Sequence, residues 1–368
     1  MKSLCAAITS ISLLPIGFLT VISGGPAIPL NSPKAGTIVA TGDMTAVRFD
    51  HAAALLRDGR VLIVGGIERN GVMNPTAELF DPATGAFHAT EKPQFPHGWG
   101  VTATLLTDGK VLVAGGSSGC DGPCYTAAAE LYDARTGTFT STGRMTTARA
   151  EARSLLLPNG DVLVAGGTEP LHEMQTAELY RPASGTFSLA GTTHLSDIVQ
   201  MVLLKDGRVL LVGASGAELY DPSTGRFTPT GGMTVPRTKF GAALLPDGRV
   251  LIAGGQTGGP WGKRVARTEI YDPKGGKFVP GPELNTKRFK LSKAVVSLTA
   301  GRVLVAGGAE QPEIYDPAAN AFFSVGGSKL DAFCFSTATL LNDGRVLLAG
   351  GYARPGSPAV NHAWLYEP

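Results

Sequence analysis

The sequence predicts an all-β protein: a seven-bladed β-propeller of four-stranded blades, its ring closed by an N-terminal strand that completes the C-terminal blade. Three observations carry this. An apolar run with a terminal glycine recurs seven times, a Glu/Tyr strand signature follows each copy, and a segment near the N-terminus carries the one piece that the last copy lacks. Composition agrees. Gly at 49 of 368 residues, Pro at 25 and aromatics at only 7% suit many short strands and frequent turns better than long helices. At 43% hydrophobic there is material for a large core.

The first element is not part of the ring. Residues 3–23 carry no charge after Lys2, and small residues surround Ser23-Gly24-Gly25, the layout of an export signal. We expect residues 1–25 to be a signal peptide, with the cut itself not readable. The rival is a retained membrane anchor, which Pro15, Gly17 and several Ser and Thr residues disfavour. The expected protein is secreted or periplasmic, monomeric, and without a stable membrane span once the signal is removed.

The propeller domain is expected over 36–368. Its first block reads DGRVLIVGG (58–66), DGKVLVAGG (108–116), NGDVLVAGG (159–167), DGRVLLVGA (206–214), DGRVLIAGG (247–255), AGRVLVAGG (300–308) and DGRVLLAGG (343–351). Asp-Gly between apolar runs signals a hairpin turn, Gly supplying the positive φ. The following Val/Leu runs read as strands buried on both faces. A second block follows: AELFDP (77–82), AELYDA (129–134), AELYRP (177–182), AELYDP (217–222), TEIYDP (268–273), PEIYDP (312–317) and AWLYEP (363–368). It reads as a third strand, usually ended by Pro, which cannot donate to a ladder. A short turn then leads to a fourth-strand aromatic, at Phe87, Phe139, Phe187, Phe227, Phe278 and Phe322. The last copy has no such strand, but GTIVATGDMTAVR (36–48) matches GTFTSTGRMTTAR (137–149) without a gap, Ile38 standing for Phe139 and Arg48 for Arg149. Pairing that segment beside the last three strands leaves no open blade edge.

These landmarks resemble the kelch repeat: a Gly pair after an apolar strand, a Tyr on the next, an aromatic on the fourth, an Arg before the following first strand. The resemblance spans roughly 36–368, with Phe in place of the usual fourth-strand Trp and a broken pair at Gly213-Ala214. It implies that the Arg before each first strand often serves inter-blade hydrogen bonding.

Seven internal copies act as a control on function, since a residue type that recurs is there for the fold and one that changes is free to serve a site. The recurring Glu78, Glu130, Glu178, Glu218, Glu269 and Glu313 are therefore expected to be structural; Trp364 replaces them in the last copy. Ten residues beyond each fourth-strand aromatic (or Ile38) stand Arg48, His97, Arg149, Asp197, Arg237, Arg288 and Ala332. Two further on stand Asp50, Trp99, Glu151, Val199, Lys239, Lys290 and Cys334. These connections surround the channel mouth on the face that also carries the variable loops. Candidate ligand contacts are thus Arg48, Asp50, His97, Trp99, Arg149, Glu151, Arg237, Lys239, Arg288 and Lys290, the arginines being the more structural set. His51 is expected to pack, and Trp261, in a Gly-rich loop, either stacks on a sugar or covers surface.

A net charge of +2 gives no electrostatic case for nucleic acid. Cys120 and Cys124 bracket a Gly-Pro turn and are expected to form a disulfide in an oxidising compartment, leaving Cys334 single once Cys5 is lost with the signal. No zinc pattern, phosphate-cradling loop or Ser-His-Asp order is present. DGKVLVAGGSSGCDGPC (108–124) is similar to part of the copper radical oxidases related to galactose oxidase. That chemistry asks for two His, two Tyr and a Cys bonded to one Tyr, yet only Tyr125 and Tyr352 lie outside the repeated third strands. No cofactor, metal or catalytic residue is therefore expected. The leading reading is a module that binds a protein, peptide or glycan. The alternative is a carbohydrate-active enzyme resembling the periplasmic kelch epimerase of N-acetylneuraminate, with Glu151 between Arg149 and Arg153 as its proton-transfer group.

Overall fold

A computed structural model describes residues 35–368 except 69–71, 120–123, 170–171, 196, 215, 260–261, 332 and 355. Each repeat becomes one antiparallel four-stranded sheet, ordered as in the chain. In the first blade the strands are Ala52–Leu55, Val61–Val64, Ala77–Asp81 and Ala86–Ala89. The second strand of that blade is buried at every residue, as a strand in the middle of a stacked sheet must be. The last blade takes Thr337–Leu340, Val346–Ala349 and Ala363–Glu367 from the C-terminus and its fourth strand, Thr37–Ala40, from the N-terminus. Ile38 pairs with Tyr366 and Ala40 with Trp364. A short piece, Gly326–Gly327, adds a parallel edge outside Thr37–Ala40.

Ring closure is also visible in the core. Buried side chains fall into seven clusters, one at each junction between neighbouring blades. An open row of seven sheets has six junctions; the seventh joins Val61, Ile63 and Phe80 of the first blade to Leu347, Ala349 and Leu365 of the last. Within blades the third-strand Tyr packs on the fourth-strand Phe, as in Tyr132–Phe139, with centroids 4.8 Å apart. The phenol then ties blades together: Tyr132, Tyr180 and Tyr271 share hydrogen bonds of 2.8–3.0 Å with Thr90, Thr142 and Thr230 of the preceding blade.

The Gly pair has a steric cause. A Cβ at Gly65 would stand 2.1 Å from the His97 carbonyl oxygen, because the connection into the next blade crosses there. In the fourth blade the broken pair is accommodated differently: the Ala214 N–H donates to Asp197 Oδ2 at 3.0 Å.

Candidate functional site at the ring mouth

The connections between blades lie beside the loops that follow the Gly pairs, as the bridges Phe49–Ile67, Ala150–Thr168, Thr238–Gln256 and Cys334–Tyr352 record. On this face the repeated polar residues point inward. Arg48, Arg149, Arg237 and Arg288 are fully buried and paired at 2.6–2.7 Å with Glu78, Glu178, Glu269 and Glu313. His97 takes the same place against Glu130 at 3.1 Å and bonds the Gly115 carbonyl at 2.7 Å. The carboxylates also accept backbone N–H groups of the connection, for example Thr234 on Glu269 at 2.7 Å. In the fourth blade Asp197 occupies the arginine position, and His194 approaches Glu218 instead. The expectation that Arg48, His97, Arg149, Arg237 and Arg288 face a ligand is therefore corrected: they lock each connection onto its blade, and no side-chain surface remains for contact.

The true lip of the mouth lies two residues before the first strand in most blades. It is marked by left-handed backbone at Asp50, Glu151, Lys239, Lys290 and Phe335, with φ between 53° and 60°. Gly100 fills the same place in the second blade, where a Cβ would meet the Glu151 amide nitrogen at 2.3 Å. The backbone passes hydrogen bonds along this lip: Asp50 N–H to Phe335 O at 3.0 Å, Gly100 N–H to Asp50 O at 3.4 Å and Glu151 N–H to Gly100 O at 2.9 Å. Counting from the aromatics slipped by one residue in two blades, so Gly100 and Phe335, rather than Trp99 and Cys334, are the lip residues. Trp99 stacks edge-on against Tyr125 at 5.6 Å, and Cys334 is a free, buried thiol. Ala332, Trp261 and Cys120 lie outside the described residues, so the Cys120–Cys124 bridge remains an expectation.

Cavities among the described residues include two at this face. One, of about 290 Å³, is the axial channel, lined by first-strand residues including Ala53, Thr102, Ser154, Met201, Ala338 and by Lys293. Lys293 spans it, donating to Asp50 Oδ1 at 3.0 Å and to the His51 carbonyl at 2.9 Å. His51 itself bonds Thr337 at 2.9 Å across the closing junction, the packing role expected of it. The other cavity, of about 350 Å³, is a cleft lined by Glu151, Arg153, Asp197, Val199, Lys239 and Ser292, among others. Arg153 is stapled by its Nε to the Val199 carbonyl at 2.6 Å. Burial and the Asp50 carboxylate push the Glu151 carboxyl above the usual range, against Arg153, Lys293 and Lys239. Burial raises Asp197 likewise. Lys239 makes no ion pair among the described residues.

Of the residues singled out in the sequence, Glu151 and Lys239 line the cleft, and Asp50 and Lys290 share their left-handed backbone place. Sequence reasoning missed Lys293, Arg264, Phe335 and Tyr352. Lys293 and Phe335 adjoin residues already singled out, and the signal available was that they too have no counterpart in other repeats.

The Kelch motif matches residues 237–285. No curated protein matches the chain. Among solved structures, a novel fungal alcohol oxidase of the AA5 family, in complex with copper, is similar, with a TM-score of 0.73 at 19% identity over 91% of this chain and 76% of that one. At that identity the likeness concerns the fold. The donors here do not fit copper: His51 and His97 are tied to Thr337 and Glu130, the Tyr352 hydroxyl is taken by Lys290, and among the described residues no three His, Cys, Asp or Glu side chains converge.

Proposed function

Because this chain is a kelch-repeat β-propeller whose recurring polar residues are consumed in holding its blades together, we propose that it is a secreted or periplasmic binding module that engages a protein, peptide or glycan at the ring mouth. A kelch propeller is in general an interaction scaffold. One observation carries the reading: the charged residues that differ between repeats, Glu151, Arg153, Asp197 and Lys239, converge on one cleft of about 350 Å³. Export rests on the uncharged 3–23 segment; no helix among the described residues is long and apolar enough to cross a membrane. The test is a glycan array and a peptide library probed with the exported chain. A ligand found there should lose affinity on Lys239→Ala, with the melting temperature unchanged. Binding that survives Lys239→Ala and Glu151→Gln together would remove the cleft from the account.

A second reading, the carbohydrate-active enzyme, is favoured by the Glu151 carboxyl. Held above the ordinary range by burial and Asp50, it keeps a proton nearer neutrality, as a general acid–base group must. Arg153 and Lys239 flank it, where they suit a sugar carboxylate. Turnover of an acidic sugar that Glu151→Gln abolishes would establish it; unchanged turnover would sink it.

A further inference from the structure

Lys290 is set apart from the other cations at the mouth by the three aromatic rings around it. Lys293 is paired with Asp50, but no carboxylate lies within ion-pair distance of Lys290 among the described residues. Its Nζ stands 5.1 Å from the Phe289 ring centroid and 4.7 Å from those of Phe335 and Tyr352. It donates to the Tyr352 hydroxyl. The Arg264 guanidinium stands on the same Phe289 ring at 4.3 Å, and both Arg264 and Lys239 act on the amine by like-charge repulsion. An amine seated among aromatic rings beside other cations, and open enough to be only half-buried, is the environment of a nucleophilic lysine.

We propose that Lys290 captures a small carbonyl compound as an imine, and that Lys239 and Arg264 select one bearing a carboxylate, an aldehydo or α-oxo acid. The neutral Nζ lone pair attacks the carbonyl carbon, and the carbonyl oxygen takes up a proton to give a carbinolamine. The nitrogen gives up its protons in turn, the hydroxyl departs as water and the C=N bond forms. Amine plus carbonyl gives imine plus water, so neither oxidant nor reductant is required. The Tyr352 phenol, hydrogen-bonded to Nζ, relays the proton; burial holds its ionisation well above the ordinary range, so it stays a donor.

The groups that face Lys290 are Lys239, Arg264, Asp50, Cys334 and Tyr352. Burial lowers the proton affinity of the amine, Lys239 and Arg264 act with it, and Cys334 and Asp50 act against it, the net direction being down. Cys334 is itself pushed up by burial, so it stays a neutral thiol, and Asp50 is engaged with Lys293. The ring faces favour the ammonium, which makes pH the control variable.

The test is reductive trapping. The full exported chain is treated with glyoxylate and cyanoborohydride, digested, and each lysine peptide quantified against time and pH. Lys290 should be modified at least about tenfold faster than the exposed Lys263 and Lys277 at neutral pH, with its rate levelling at a lower pH than theirs. Lys290→Met should abolish the fast phase, and Tyr352→Phe should slow it. Lys239→Ala with Arg264→Ala should slow glyoxylate capture more than acetaldehyde capture, a preference that a merely structural role would not alter. Labelling of Lys290 no faster than of Lys263, or with the same pH profile, overturns the proposal. Should Lys290→Met fail to fold, the wild-type peptide map and its pH profile still decide.

Discussion

The buried Arg–Glu pairs allow a sharp prediction, because one blade replaces the arginine with histidine. In the fifth blade Glu269 accepts Arg237 at 2.6 Å and the Thr234 N–H at 2.7 Å, with both charged side chains fully buried. Glu269→Ala leaves a guanidinium that cannot shed its charge and, among the described residues, reaches only the Val235 carbonyl at 3.1 Å. Leaving one member of a buried pair uncompensated costs about 3–5 kcal/mol. In the second blade Glu130→Ala removes the same kind of carboxylate, but an imidazole, unlike a guanidinium, has a neutral form, and His97 keeps its bond to Gly115 at 2.7 Å. The cost there reduces to unsatisfied hydrogen bonds, about 1–3 kcal/mol. Urea unfolding of both variants at a pH where imidazole is neutral gives the comparison. The double variant Arg237→Met/Glu269→Leu should recover much of the loss, since the stranded charge is gone. Equal destabilisation by Glu269→Ala and Glu130→Ala would refute the argument, because the stranded charge would then not be what matters.

Deleting residues 36–48 should abolish cooperative unfolding, since it strips the edge of Ala363–Glu367 and removes Ile38, Met44 and Arg48 from the core; a chain starting at Phe49 with an unchanged melting temperature would contradict this. A thiol count on the denatured, non-reduced exported chain should find one thiol, Cys334, while three would disprove the Cys120–Cys124 bridge. Tyr220→Ala should cost about 3–5 kcal/mol, as large buried truncations do. Phe227→Ala should cost less, because that ring is only half-buried, and calorimetry ranks the two.

The repeat pattern made the blades and the ring closure readable, since strand period, turn chemistry and the missing fourth strand all agreed. The arginines show what was harder. Their fixed place argued for structure, but the partner was not named: the last copy has Trp364 where the others carry the Glu and no cation at the arginine place, yet the fourth keeps Glu218 beside Asp197, so the copies do not lose the two together in every case. The lip was blurred for a different reason. The blade connections differ in length by a residue, so a fixed count lands on Trp99 and Cys334, whereas φ identifies Gly100 and Phe335. The cage around Lys290 joins Phe289 to Phe335 and Tyr352 of the neighbouring blade. No single-repeat comparison brings those residues together.

The lip also poses a question of stability against use. Left-handed backbone costs an L-residue with a Cβ roughly 1–2 kcal/mol relative to the right-handed region. The second blade avoids the cost with Gly100, yet Lys239 accepts it at φ 56° while making no ion pair among the described residues. Were the position purely structural, glycine would serve there as it does at Gly100. Lys239→Gly should relieve the strain and, against it, lose about 0.5–1 kcal/mol through the greater freedom of glycine in the unfolded chain. Lys239→Ala keeps the strain and gains none of the relief, so the glycine variant should be the more stable of the two by about 1 kcal/mol. Both should lose affinity for any ligand of the cleft to the same extent, because both remove the amine. Thermal unfolding and binding measured on the same pair separate the effects. An alanine variant as stable as the glycine variant would mean that the lip carries no strain, and the left-handed lysine would then be no sign of a residue retained for binding.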